Sequence, residues 1–313
     1  MECWIETWDG RKERLPQALE WTFSYGVGTP CDSFTLQCAW GESRSALWGE
    51  GVTFWAEEGG ERLFTGRLDE VETSWDARGG LLTLCGRGMA ALLLDNETVG
   101  AQYQAAVWED IRRGYVEPYG IRCTGGESLR AVEGFTVENG ASAWTAVETF
   151  VHRCNGVEPW FDRQGVLHLD GWRSGTERTL SGKTPLISAV WREKRYGVLS
   201  EVLVRDRMGT VSQTVRNESF LARGGRCRQV LTLPGTRGYE AMRYSGSYQI
   251  GESAREQEVL TLRLAGIGAA WVGDRLNLDV LRPRLTGCWR VRACETGVGR
   301  EGGFTELKLI REE

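Results

Sequence analysis

The sequence predicts a mainly β protein in which one antiparallel β-module is built twice, with a small α/β segment between the two copies. Three observations carry that expectation. Forty-one glycines, few prolines and fourteen tryptophans among 313 residues describe many tight turns joining short strands. Apolar and polar residues alternate with a period of two at both ends of the chain, the signature of strands with one buried face. The segment GRLDEVETSWDARGGLLTLCG (66–86) is answered near the C-terminus by WRVRACETGVGREGGFTELKL (289–309). There Glu72-Thr73 matches Glu295-Thr296, and Gly79-Gly80 matches Gly302-Gly303 at the same spacing.

The match extends upstream with one residue gained or lost in the preceding loop. Phe34, Leu36, Cys38 and Trp40 fall against Glu258, Leu260, Leu262 and Leu264; Gly49-Glu50, Val52 and Phe54 fall against Gly273-Asp274, Leu276 and Leu278. Equal strand and turn lengths imply a duplicated module. Hairpins also share Gly-rich turns for purely local reasons, so two unrelated hairpins are the plain alternative.

In chain order, CWIETW, DSFTLQCAW, GVTFWAE and RLFTGRLDEVETSW alternate as strands between Cys3 and Trp75. LLTLCG then runs into GRGMAALLLDNET, where Met89, Leu92 and Leu93 share a helical face. A first β-barrel with a covering helix is therefore expected over 1–98. Across 99–178 the character changes. AQYQAAVWEDIRRG sets Tyr103, Val107 and Ile111 at helical spacing up to Gly114, and NGASAWTAVETFVHRCNG sets Trp144, Val147, Val151 and Cys154 on one face with Asn155-Gly156 as a stop. PWFDRQGVLHLDGW reads as a hairpin about Asp162 to Gly165. The β pattern returns from Ile187, giving a second barrel over 179–313. Leu221 to Tyr239 resists assignment, and Gly251 to Glu258 suggests a brief helix. If the early strands of the second module precede that stretch, residues 211–257 are an insertion within it.

A chain of this length buries a substantial core and suggests two or three domains. The net charge of −5, with bases dispersed among acids, provides no basic stripe for nucleic acid. No apolar run reaches membrane-spanning length and MECWIETWDGRKER lacks a signal-peptide core, so a cytoplasmic site of synthesis is expected. Nine cysteines, an odd number without CxxC spacing, read as free and mostly buried thiols.

Catalytic and metal motifs are not found. His152 and His168 stand alone, without a second ligand at metal spacing, and read as structural histidines. GxSxG and phosphate-loop patterns are missing, and Gly266-Ile267-Gly268 meets Trp271 where a dinucleotide fingerprint needs its third glycine, so GIGAAW reads as a turn. A glycosidase needs only two carboxylates, and Asp69, Glu70 and Glu72, or Asp162 and Asp170 beside Trp160 and Trp172, are candidates for that alternative. The tryptophans also admit a carbohydrate-binding module, although strand positions that alternate inward favour burial.

Taken in order, DSFTLQCAW, LFTGRLDEVETSW with GGLLTLCGRGMAALLLDNET, VWEDIRRGYVEPYGI, SAWTAVETFVHRC before PWFDRQGVLHL, and VGDRLNL to GGFTELKL resemble the baseplate hub proteins of contractile phage tails and related injection machines. Nearly the whole chain is covered; the Arg-rich stretch Arg223 to Arg237 matches nothing in that pattern. The resemblance implies tube-type β-barrels, two per chain, in a homotrimer. Three subunits then make a pseudo-six-fold ring between a three-fold spike and a six-fold tail tube. It implies no enzymatic activity and no cofactor. The partners would be the spike, the tube and tape-measure proteins and other baseplate proteins, in a tail assembled in a bacterial cytoplasm. Asp69, Glu70 and Glu72 are the candidate channel-facing residues, because a mildly acidic lining repels DNA from the wall. A solvated outer face is the alternative for that strand. Glu72, Gly79, Gly80, Glu295, Gly302 and Gly303 are the expected duplicated positions.

Overall fold

The computed structural model describes residues 1–313 except 29–31, 42–44, 78, 207, 208, 210, 234–238, 256, 282 and 313. Cys31 and part of the Arg-rich stretch lie outside the described residues. Strands β1 (Glu2–Thr7), β2 (Lys12–Arg14), β3 (Ala18–Gly26), β4 (Ser33–Trp40), β5 (Gly51–Glu58), β6 (Glu61–Asp76) and β7 (Gly79–Gly88) open the chain. Their alternation turns Ile5, Phe23, Phe34, Leu36, Phe54, Phe64, Leu82 and Leu84 into one core. Strand β6 carries a bulge: Leu68 pairs with Gly86 and Glu70 with Cys85, leaving Asp69 without a rung. A bulge inserts one residue and so changes which residues point inward, even-numbered before Asp69 and odd-numbered after it.

The middle segment contains α1 (Ala91–Leu94), β8 (Ala101–Ala106), α2 (Trp108–Tyr115), β9 (Cys123–Thr124), β10 (Val132–Val137), α3 (Ala143–Asn155), β11 (Trp160–Phe161) and β12 (Leu167–His168). It packs around its own core, with Phe135, Trp144, Val147, Phe150 and Leu167 at the centre. Ser142 caps α3 by accepting from the Thr145 amide at 3.2 Å, and Gly156 ends it at φ +72°. The helical spacing of Tyr103, Val107 and Ile111 misleads. Residues 101–106 form a strand whose partner, β10, lies some thirty residues on, and the helix begins only at Trp108.

After β13 (Glu177–Ser181) and β14 (Leu186–Glu193) comes a third small unit, comprising β15 (Glu201–Asp206), β16 (Ser212–Arg216), α4 (Glu218–Ala222), β17 (Arg228–Leu233) and α5 (Tyr239–Ala254). Val202, Val204 and Met242 form its core. The brief helix expected at 251–258 is instead the long α5, ending at Ala254. Its sequence lacks a hydrophobic stripe, because Gly246 faces Val215, where a Cβ would come within 2.5 Å. Strands β18 (Glu258–Ala265), β19 (Arg275–Leu281), β20 (Arg284–Gly299) and β21 (Gly302–Arg311) close the chain.

The described residues form a thirteen-stranded sheet in the order β14-β18-β21-β20-β3-β4-β7-β6-β5-β1-β2, with β19 joining β20 to β13. Its core runs unbroken from Ile5 and Phe34 to Leu262, Trp289 and Leu309. The hairpins β6–β7 and β20–β21 repeat one another rung for rung. Glu72 faces Thr83 and Glu295 faces Glu306; Asp76 faces Gly79 and Gly299 faces Gly302. The second bulge, at Arg292 between Val291 and Ala293, stands where Asp69 stands in the first. Gly79 and Gly302 both have strongly positive φ, +119° and +102°, which L side chains resist.

Upstream, the ladders correct the sequence correspondence by two residues in each case. Leu84 pairs with Leu36, and its counterpart Leu307 pairs with Leu262, so Leu36 corresponds to Leu262 rather than Leu260. Phe54 pairs with Gly66, and Leu276 pairs with Trp289, so Phe54 corresponds to Leu276 rather than Leu278. A slip of two preserves the inward face, so apolar alternation alone does not detect it.

Among the described residues no helix is long and apolar enough to cross a membrane. The eight described cysteines are unpaired; Cys3, Cys38 and Cys294 are buried and the other five are half-buried, more exposed than expected.

Candidate functional site

The candidate channel residues lie on the tip of β6, beyond its bulge. The core takes one face of the sheet, through Leu82 and Leu84 of β7 and Phe34 and Leu36 of β4. Alternation therefore places Glu70 and Glu72 on the opposite face, beside Cys85 and Thr83. The structure separates Asp69 from them. Its carboxylate accepts from Arg87 at 2.8 and 3.1 Å, and Arg87 also donates to Asp95 at 2.8 and 2.7 Å. Arg87 holds the Asp95 carboxyl below the usual range. Asp69 is thus neutralised within the chain, whereas Glu70 and Glu72 are exposed.

This polar face continues across eight strands from β6 to β14. Charged residues on it include Glu20, Glu295 and Glu306 besides Glu70 and Glu72, against Arg192, Arg263 and Lys308; Arg263 pairs with Glu306 at 3.2 Å. Acids exceed bases. At the centre, β3 joins β20, and Ser24 Oγ donates to Glu295 at 3.1 Å.

Both ends of this eight-strand surface are open among the described residues. Strand β5 accompanies β6 only as far as Arg67, so among the described residues β6 beyond its bulge has β7 on one side and no strand on the other. Strand β14 pairs with β18 alone. Ile187, Val190 and Trp191 on β14 and Trp75 on β6 are exposed. The sequence reading placed the tryptophans inward, and only Trp21, Trp48, Trp144, Trp172 and Trp289 of the fourteen are fully buried. The exposed edge residues were missed because their significance depends on which strands lack a neighbour.

Of the alternative acids, Asp170 is exposed and Asp162 is engaged in structural hydrogen bonds. Asp162 accepts from the Gln164 and Val166 amides, each at 2.9 Å, and faces His168 Nε2 at 2.9 Å. Trp160 stacks on His168 and donates to the Gly171 carbonyl; Trp172 donates to Glu158. His152 bonds Tyr248, tying α3 to α5. A broad cleft of about 1010 Å³ lies beside α5, lined by Arg255, Arg290, Arg311, Glu252, Glu258 and Glu312. Its charges pair internally, Arg290 with Glu312, Arg311 with Glu258 and Arg255 with Glu252. Among the described residues no group of three or more His, Cys, Asp or Glu is placed to hold a metal.

No protein-family model matches the chain, and no curated protein matches it by sequence. Solved structures do match its fold. A tail protein from Neisseria meningitidis MC58 superposes with a TM-score of 0.79 at 17% identity, covering 99% of this chain and 96% of that one. The 43 kDa tail protein of prophage MuSo2 from Shewanella oneidensis gives 0.74 at 15% identity, covering 99% and 98%. The E. coli c3393 protein, a type VI secretion component described as structurally similar to the T4 bacteriophage tail proteins gp27 and gp5, gives 0.59 at 12% identity, covering 95% and 74%. At these identities the likeness is one of fold, and it extends over the full length of the chain.

Proposed function

We propose that this chain, which has the fold of phage tail proteins, is a structural baseplate hub of a phage or phage-like tail. Three copies form a ring that joins the tail tube to the central spike and surrounds the channel. The observation that carries this reading is the rung-for-rung repeat of two hairpins, bulge included, within one continuous sheet. A ring that must match a six-fold tube and a three-fold spike is satisfied by two near-equivalent modules per chain. We read the repeat as a duplicated module, with units near 1–98, 99–178 and 179–313. The last holds the β15–α5 unit as an insertion.

The work of such a part is mechanical. The sheet face bearing Glu70, Glu72 and Glu295 would line the channel, where exposed carboxylates repel a passing polyanion. The α/β segment would face neighbouring baseplate proteins, and assembly would take place in the host cytoplasm. The test is the particle itself. Light-scattering mass, alone and after co-expression with a spike protein, should give three copies of the 35.0 kDa chain, and negative-stain images should show a ring with a central hole. A strict monomer with and without the spike overturns the reading. So does turnover of a cell-wall polysaccharide that an amide substitution at Glu70 or Glu72 abolishes.

A further inference from the structure

The junction between β3 and β20 inside the chain is a template for a contact between chains. Strand β14 is the counterpart of β3: Trp21 and Phe23 pair with Leu36 and Phe34, while Ala189 and Trp191 pair with Leu262 and Leu260. The two strands also share a bulge, at Leu19 between Ala18 and Glu20 and at Ile187 between Leu186 and Ser188. Strand β6 is the counterpart of β20 through the matched hairpins. Since β3 pairs with β20, the chain carries a second acceptor and a second donor edge of the same shape. Both are open.

We propose that β14 of one copy pairs antiparallel with the tip of β6 in a second copy of this chain. The register follows from the template. Ala293 faces Gly26, Glu295 faces Ser24, Gly297 faces Thr22 and Val298 faces Trp21. The corresponding rungs set Glu70 against Lys194, Glu72 against Arg192, Ser74 against Val190 and Trp75 against Ala189. The serine-to-glutamate hydrogen bond of the template thus becomes an ion pair between Arg192 and Glu72, and a second acid meets a lysine two rungs away. Opposite charges directly across a strand pair favour that register over its neighbours.

Burial argues the same way. Trp75 is 60% exposed, Val190 54% and Trp191 49%, whereas Phe23 and Trp21, the counterparts of Trp191 and Ala189, are 0% and 6% exposed. Proteins generally blunt open edges because these recruit other strands. Here the two open edges carry exposed aromatic and β-branched residues and complementary charges. The contact is heterologous, so it repeats around an axis; that it closes at three copies rests on the hub reading.

The experiment mixes two chains, one carrying Ser74→Cys and the other Val190→Cys, under mild oxidation. Directly opposed residues of an antiparallel pair have Cα atoms about 4.5–5.5 Å apart, within disulfide reach. A covalent dimer is expected only in the mixture, with mass spectrometry placing the link between positions 74 and 190. Mixing Ser74→Cys with Arg192→Cys, two rungs out of register, should give none. Glu72→Arg should raise the concentration at half-assembly about tenfold or more, and adding Arg192→Glu should restore it. A stable oligomer that links only out of register, or not at all, overturns this surface and leaves the ring standing. A strict monomer without cross-links overturns both.

Discussion

Asp32, at the mouth of β4, makes the stability of this fold depend on pH in an unusual direction. Its side chain is buried and accepts a hydrogen bond from the Gly26 amide at 2.9 Å. Burial pushes its pKa up to about 7 from an ordinary 3.8, and the Gly26 hydrogen bond offsets only part of that rise. The sign follows from proton counting. Between those two values the native state holds a proton that the unfolded chain has released, so the contribution of Asp32 to stability is greatest below about pH 4 and falls as pH rises to about 7. The full difference is about 4 kcal/mol, a large share of the stability of a typical domain. Asp32→Asn keeps an acceptor for Gly26 and removes the charge. The assay is urea unfolding by tryptophan fluorescence at fixed protein concentration, for both proteins, at half-unit steps from pH 4 to 8. Other carboxylates cancel in the difference between them. The variant should match the parent near pH 4 and exceed it by several kcal/mol near pH 8, with the divergence between pH 4 and 7. A difference that stays constant with pH, or grows as pH falls, refutes the argument.

Two further substitutions test the framework. Asp274 is buried and accepts from the Thr176 amide at 2.8 Å, Arg178 Nε at 2.8 Å and the Trp271 amide at 3.0 Å, so it pins the entry to β13 against the turn before β19. Asp274→Ala should cost about 3–5 kcal/mol in denaturant unfolding, with Asp274→Asn recovering part of it. Gly86 lies against Phe34, whose ring stacks on Phe54, and a Cβ there would sit 2.0 Å from the Arg67 carbonyl oxygen and 2.5 Å from Phe34. Gly86→Ala should lower stability by more than about 2 kcal/mol, read as a drop in the urea midpoint. Conversely, a neutral Gly86→Ala would mean that the β6–β7 ladder yields easily at that rung.

The matching hairpins β6–β7 and β20–β21 were legible because identical residues at identical spacing reported the same ladder. The strands before them were legible only as to face. Leu260, Leu262 and Leu264 are interchangeable to a period-two pattern, and only the hydrogen-bonded rungs decide among them. The bulges at Asp69 and Arg292 shift the alternation without leaving a residue type that announces them. Local propensity favoured a helix over Tyr103 to Ile111, and pairing with β10 overrode its first half. Helix α5 was nearly invisible, since Gly246 and Gly251 suppress the pattern that the fold needs only at Met242 and Ile250. Of the three acids read as one channel-facing group, Asp69 belongs to Arg87. That distinction depends on the side chain of a residue eighteen positions away.

The joining of β3 to β20 bears on how the chain is made. The hydrogen bond from Ser24 to Glu295 spans 271 residues, so the partner for β3 leaves the ribosome long after β3 itself. Until then every nascent chain carries two matching vacancies, at β3 and at β14, and a finished neighbour can offer the tip of its β6 to either. Long-range strand pairing is slow and leaves edges open to other molecules. Docking at β14 would build the proposed assembly; docking at β3 would occupy the edge that β20 must fill. Local concentration during synthesis should therefore govern the yield of correctly joined protein, with slower translation or simultaneous production of neighbouring tail components shifting the balance between the two outcomes.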